Sequence, residues 1–192
     1  MAQFAVVLDA CVLYPFALRD VLIQLATTGL YRARWSDDIH EEWISNLLAR
    51  GWNAAQLGEL RALMERAVPD ASVSGYRPLI DTLAGQGLPD DNDAHVIAAA
   101  VRANADMIVT WNVKHFPKEV LSPYHIEVQD PDDFLLNQFD LDAAKLLQTI
   151  KTCRQRLNNP SMTPDEYLTM LEKNRLTNTV LELRQFADVG LI

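Results

Sequence analysis

Cysteine is scarce: Cys11 and Cys153 stand far apart and form no CxxC and no Cys/His cluster. A disulfide framework and a zinc ligand set of that spacing are therefore excluded, and two reduced thiols are expected. No run approaches the roughly 18 consecutive apolar residues of a membrane-spanning helix. The opening MAQFAVVLDACVLYPF has no basic head and soon meets an acid, so it does not read as a signal peptide. A cytoplasmic protein with no membrane partner is expected. Positive charge is also short, with 17 Lys and Arg against 26 Asp and Glu for a net charge of −9. That argues against holding nucleic acid by overall charge, though not against a local basic patch. Three phosphate-chemistry signatures are missing as well: there is no GxxxxGK[ST], no GxGxxG after a strand and no GxSxG elbow. An aspartyl-phosphate phosphatase would place a second acid two residues after Asp9, and that position is Cys11. Internal repeats and low-complexity segments are absent.

What is present is a chain of 192 residues, 49% hydrophobic and 22% charged, enough for one domain plus a small appendage. Phe4 to Leu8 reads as a strand apolar on both faces, of the kind found in covered parallel sheets. Arg19 to Thr28 has helical spacing and a glycine stop, and Tyr31 to Trp35 alternates weakly like a strand. Ser36 or Asp37 is a candidate N-cap for a helix to about Ala49, followed by a helix over Asn53 to Val68. The passage from Pro69 to Gly87 reads as loop with a short strand at Ser72 to Val73. A helix is expected from Asp91 to Asn104, and strands at Met107 to Trp111 and Ile126 to Gln129. Strands alternating with helices predict an α/β layered domain with a mainly parallel sheet.

From Asp140 on, acidic and basic residues balance at seven each, so the whole negative excess lies earlier. Texture changes at the same place, and a boundary is expected near residue 138. The tail reads as three helices, Leu141 to Leu157, Pro164 to Lys173 and Thr177 to Phe186. Leu168, Leu171, Leu176, Val180 and Leu183 are expected to pack back on the domain, since the tail alone is too short for a core.

In open α/β sheets ligands bind outside the carboxyl ends of the strands, which directs attention to Asp9 and Asn112. Asp93 falls in the first turn of its helix and Glu42 in the middle of its own. If Asp9, Glu42 and Asp93 converge, the carboxylates raise one another's pKa unless a hard cation neutralises them, and Mg²⁺ or Mn²⁺ suits oxygen ligands. Each also has an ordinary reading: Asp93 as a charge favoured by the helix dipole, Glu42 as a solvated helix residue. Asp9 is hardest to dismiss, because an acid closing an apolar strand is costly to bury unpaired. His95 and His115 form no HxxxH pair and read as packing or surface histidines.

The order of a strand ending in Asp9, a helix with Glu42, PDDNDAHVIAAA with Asp93 and ADMIVTWN ending in Asn112 resembles PIN-domain ribonucleases, above all VapC-type toxins. VVLDACVLYPFALRD, RARWSDDIHEEW and ADMIVTWNVKHFP resemble a subgroup with a helical C-terminal extension, and TPDEYLTMLEKNRLTNTVLELR resembles that extension. The resemblance implies a PIN-like three-layer α/β fold over residues 1–138 and a helical extension over 139–192. It implies a Mg²⁺- or Mn²⁺-dependent endoribonuclease acting on RNA, blocked by a cognate antitoxin, with a homodimer as the expected assembly. Its acidic quartet carries over to Asp9, Glu42 and Asp93 as metal ligands, with Asn112 where many members have a fourth Asp. Asp90 falls one turn before Asp93 as a supporting acid, and Thr110 joins Asn112 in binding metal waters or phosphate. His115 stands where the subgroup often has Asp, a second departure that removes charge. Arg19 and Lys114, with Arg32, Arg34 and Lys118, are candidates to meet RNA, and Lys151, Arg154 and Arg156 form an alternative basic cluster. Two further readings stay open: a PIN-like module that has lost catalysis and only binds, and a metal-dependent hydrolase of DNA or phosphomonoesters.

Overall fold

The structure, a computed structural model, describes residues 4–187 and 190–192. In chain order the elements are β1 (Ala5–Leu8), α1 (Ala10–Leu13), α2 (Phe16–Thr27), β2 (Arg32–Ser36), α3 (Asp37–Ala49), α4 (Ala54–Ala67), β3 (Ser72–Val73), α5 (Arg77–Leu83), α6 (Ala94–Ala103), β4 (Met107–Val109), α7 (Lys118–Leu121), β5 (Glu127–Gln129), α8 (Pro131–Leu141), α9 (Ala143–Arg156), α10 (Pro164–Lys173) and α11 (Thr177–Ala187).

The five strands form one sheet in the order β3-β2-β1-β4-β5, and every pairing is parallel. β1 lies at the centre. Its Val6, Val7 and Leu8 are fully buried, and because successive side chains point to opposite faces, both faces of the sheet are covered. The helix α6 lies against β1, β2, β3 and β4. Its Ala94, Ala98, Ala99 and Ala100 are buried, and side chains this small let the helix approach the sheet closely. Among the described residues no helix is long and apolar enough to cross a membrane.

Caps decide the helix starts. The Ser36 hydroxyl accepts from the Ile39 N–H at the head of α3, and Asn53 caps α4 in the same manner. At the head of α10, Thr163 and Glu166 complete a capping box. Three expectations need correction. First, residues 91–93 form a single 3₁₀ turn, with the Asp90 carboxylate accepting from the Asn92 N–H, so α6 begins only at Ala94. Second, the passage expected to be loop contains α5, whose first turn accommodates Pro78. Third, an additional helix, α8, precedes the tail; Asp130 caps it and Pro131 occupies its first position. Residue 138 falls inside α8.

The tail docks on the α/β layer. The helices α9 and α10 lie against α2, and α11 lies against α8. Leu168, Leu171, Leu176, Val180 and Leu183 are fully buried in the same core as the sheet, as their apolar spacing predicts. The Asp132 carboxylate on α8 accepts from the backbone N–H groups of Asn178 (2.9 Å) and Thr179 (2.8 Å) at the head of α11. The Thr179 hydroxyl returns a bond to the Asp132 carbonyl.

Candidate functional site

The sheet reverses its winding between β1 and β4: the chain runs outward through β2 and β3, then restarts on the other side with β4 and β5. That switch point opens a crevice at the carboxyl ends of the two strands. Leu8 pairs with Val109, so the next residues in register, Asp9 and Thr110, stand side by side at its mouth. The Asp9 N–H donates to the Val109 carbonyl at 3.1 Å, which locks the placement.

Asp9 is 2% exposed. Its carboxylate accepts from the Thr110 hydroxyl (2.6 Å), the Cys11 thiol (3.1 Å) and the Ala10 N–H (2.7 Å). Burial raises its pKa, these three bonds pull it back, and the charge of Glu42 raises it again. Thr110 is itself held, accepting from the Asn112 N–H at 2.9 Å. Cys11 accepts from the Trp111 N–H at 3.2 Å and touches the Thr110 hydroxyl at 3.3 Å. Burial, and next the charge of Asp9, push its thiol up, so it stays protonated and serves as a donor to Asp9.

Asp93 stands where the 3₁₀ turn passes into α6. Its Oδ2 lies 2.7 Å from His115 Nδ1. Burial raises its pKa, the His115 bond lowers it, and the charges of Asp9 and Asp90 raise it further. Glu42 extends from α3 to within 3.3 Å of His95 Nε2 on α6. Of the three acids expected to share an ion, Asp9 feels the charge of Glu42, and Asp93 feels that of Asp9. Among the described residues, however, the set whose ligand atoms all fall within 4.8 Å of one another is Asp90, Asp93 and His115. His95 and His115, expected as packing or surface residues, each sit on a site carboxylate instead.

Beside these acids lies a cleft of about 350 Å³ bounded by Cys11, Tyr14, Glu42, Asn46, Arg50 and Asn112. Lys114 is exposed in the 3₁₀ turn just after Asn112. The other basic candidates are placed differently. Arg19 is buried, donates to the Leu13 and Tyr14 carbonyls and lies under the Trp43 ring; burial lowers its pKa to about 10, so it remains a cation that braces α1 from within. Arg32 opens β2, and in an all-parallel sheet that is the edge opposite the crevice. Arg34 lines a depression with Arg32, Gly29 and Asp70, again away from the acids. Lys151 donates to the Gly190 carbonyl, Arg154 to that of Met162, and Arg156 to Asp20 and Gln24, so that cluster ties the tail together and to α2.

Sequence reasoning missed Tyr14, Asn46 and Arg50. Their signal was present: Glu42, Asn46 and Arg50 recur every four residues and so share one helical face, while Tyr14 follows Cys11 by three. No periodicity announces His95 or His115, because their pairing is purely tertiary.

Fold and site together define a parallel α/β protein with a buried acid at its switch point and further acids around it. Residues 5–114 match the PIN domain family, and residues 131–185 match the VapC50 C-terminal domain. A protein described as "Putative ribonuclease VapC50" from Mycobacterium tuberculosis (strain ATCC 25618 / H37Rv) is 36% identical over 129 residues, covering 65% of this chain and 74% of that protein. No solved structure matches the chain. The chain belongs to the PIN-domain family, in the VapC-type branch that carries this C-terminal extension.

Proposed function

We propose that the chain is a cytoplasmic endoribonuclease that hydrolyses RNA phosphodiester bonds with Mg²⁺ or Mn²⁺ and acts as the toxin of a toxin–antitoxin pair. The observation that carries the reading is the buried Asp9 carboxylate, which feels the charge of Glu42 and whose own charge is felt at Asp93. Three hydrogen bonds offset part of the cost of burying that charge, and a cation beside the acids would offset the rest. The donors present fit a hard divalent ion, since Asp9, Glu42, Asp90 and Asp93 offer only oxygen and His115 adds one nitrogen.

Asp9, Glu42 and Asp93 would hold the ion, which when bound lowers the pKa of a water and neutralises the phosphate. The protein's own groups prepare the rest. Thr110 and Cys11 fix the rotation of the Asp9 carboxylate through two donated bonds, and His115 fixes that of Asp93. As the alternative to holding the ion, Glu42, exposed in the wall of the cleft, would take the proton of the attacking water. Asn112 and Lys114 meet the substrate phosphate; Asn112 contributes orientation without charge. All of these precede α8, so the nuclease unit ends before that helix, and the extension, expected from residue 139, takes in the whole of α8 as well. The preference for RNA follows the name of the mycobacterial relative, and the antitoxin partner follows the likeness to VapC-type toxins.

Total bacterial RNA incubated with the purified chain and Mg²⁺ or Mn²⁺ should yield discrete products that EDTA suppresses. Asp9→Asn should lower cleavage at least about a hundredfold while leaving the far-UV circular dichroism unchanged. Undiminished cleavage by that variant would overturn the site assignment. A second reading, a binding module without catalysis, is favoured by the neutral Asn112 and by His115 sitting on Asp93. Calorimetric titration with Mn²⁺ separates the two, since the inactive module takes up no ion.

A further inference from the structure

We propose that Tyr14 and Arg50 form a subsite for one nucleotide of single-stranded RNA beside the scissile phosphate, an inference that rests on the nuclease reading above. Three observations carry it. The Arg50 guanidinium lies over the Tyr14 ring, 4.8 Å from its centroid. Both side chains line the cleft that also contains Glu42 and Asn112, so a strand whose phosphate meets the acids passes this pair. Third, no ion pair among the described residues engages Arg50, so its charge is available at the cleft it lines.

The arrangement answers an electrostatic need. A chain of charge −9, with Asp9, Glu42 and Asp93 around the crevice, repels a polyanion unless a cation stands on the approach. Arg50 closes α3 two turns beyond Glu42 and provides that charge at the cleft itself. A guanidinium held over a phenol ring also offers a cationic and an aromatic surface against which a nucleobase can stack. Asn46, one turn before Arg50, offers both a donor and an acceptor to the base edge. A base inside a duplex has no free face to stack, so the subsite selects unpaired RNA.

Fluorescence anisotropy with a labelled ten-nucleotide single-stranded RNA tests the pair, using the full chain in EDTA so that nothing is cut. Tyr14→Leu and Arg50→Ala should each weaken binding by about five- to tenfold, while Tyr14→Phe restores it. Arg50→Ala should also reduce the slope of log affinity against log salt by about 0.7. A matched duplex should bind more weakly than the single strand to the wild type. In cleavage assays with Mn²⁺ the same two variants should raise KM. If both variants bind within twofold of the wild type while the wild type cleaves RNA, the subsite is overturned and the nuclease reading stands. If binding depends on Tyr14 and Arg50 but neither ion supports cleavage, the nuclease reading falls and takes the scissile phosphate with it, and the pair is overturned as a subsite of a nuclease and left as a single-strand binding site. A wild type that binds no single-stranded RNA overturns the subsite.

Discussion

His40 decides where Glu42 points. It is buried on α3 with Ile39, Trp43 and Leu47; its Nδ1 accepts from the Trp43 indole N–H at 3.0 Å, and its ring meets Trp35 and Trp43 edge-on. With that face held in the core, Glu42, Asn46 and Arg50 are turned to the cleft. Burial lowers the His40 pKa from 6.5 to about 4, so between those values the unfolded chain binds the proton that the folded chain refuses. The corresponding stability is fully present above pH 6.5 and is lost as the pH falls toward 4, by about 3 kcal/mol at most. Urea midpoints measured between pH 7 and 4.5 should therefore fall more steeply in the wild type than in His40→Gln, and parallel curves would contradict this role. At this scale Asp9 and Asn112 were conspicuous, because each is a polar residue at the close of an apolar strand, whereas the bond from Thr110 to Asp9 is tertiary and had no signal of its own. Arg19 was not legible: expected at a strand end to meet RNA, it is buried in α2, where its bonds to the Leu13 and Tyr14 carbonyls and its contact with Trp43 make it a brace.

Among elements, α8 and α11 depend on one another through Asp132. That carboxylate satisfies two N–H groups that a helix start otherwise leaves open. Asp132→Ala should cost about 1–3 kcal/mol in chemical denaturation, and Asp132→Asn, which keeps one acceptor oxygen, should cost less. Equal stability of all three proteins would show that solvent replaces the cap. The central strands and the long periodic helices could be read from sequence, since apolar spacing over many residues leaves little choice. Two elements could not. The short α5 is bracketed by Gly75 and Gly85, and Pro78 in its first turn reads as a breaker. The helix α8 opens on Asp-Pro-Asp-Asp, which looks like a loop until Asp130 is seen to cap it and Pro131 to occupy its first position, where no intrahelical N–H bond is lost.

On the scale of the whole molecule, the extension completes the core. The buried leucines of α10 and α11 join the same apolar cluster as the sheet, and Cys153 on α9 reaches the Asp20 carbonyl of α2. A chain ended after Leu141 exposes that face of α2. It should lose cooperative thermal unfolding and elute as aggregate in size-exclusion chromatography, whereas a monodisperse, sharply melting fragment would show that the α/β layer stands alone. The extension also reaches toward the crevice, since Arg175 between α10 and α11 lies 4.3 Å over the ring of Trp111, next to Asn112. The hydrogen bond from Thr110 to Asp9, finally, joins residues 101 positions apart, and this separation acts as a clock during translation. At about 5–20 residues per second, the acid emerges from the ribosome roughly 5–20 s before the hydroxyl that orients it. For more than half of its synthesis the nascent chain therefore carries only an unassembled fragment of its own site, and the cell meets a competent enzyme only after β4 has been made and inserted beside β1.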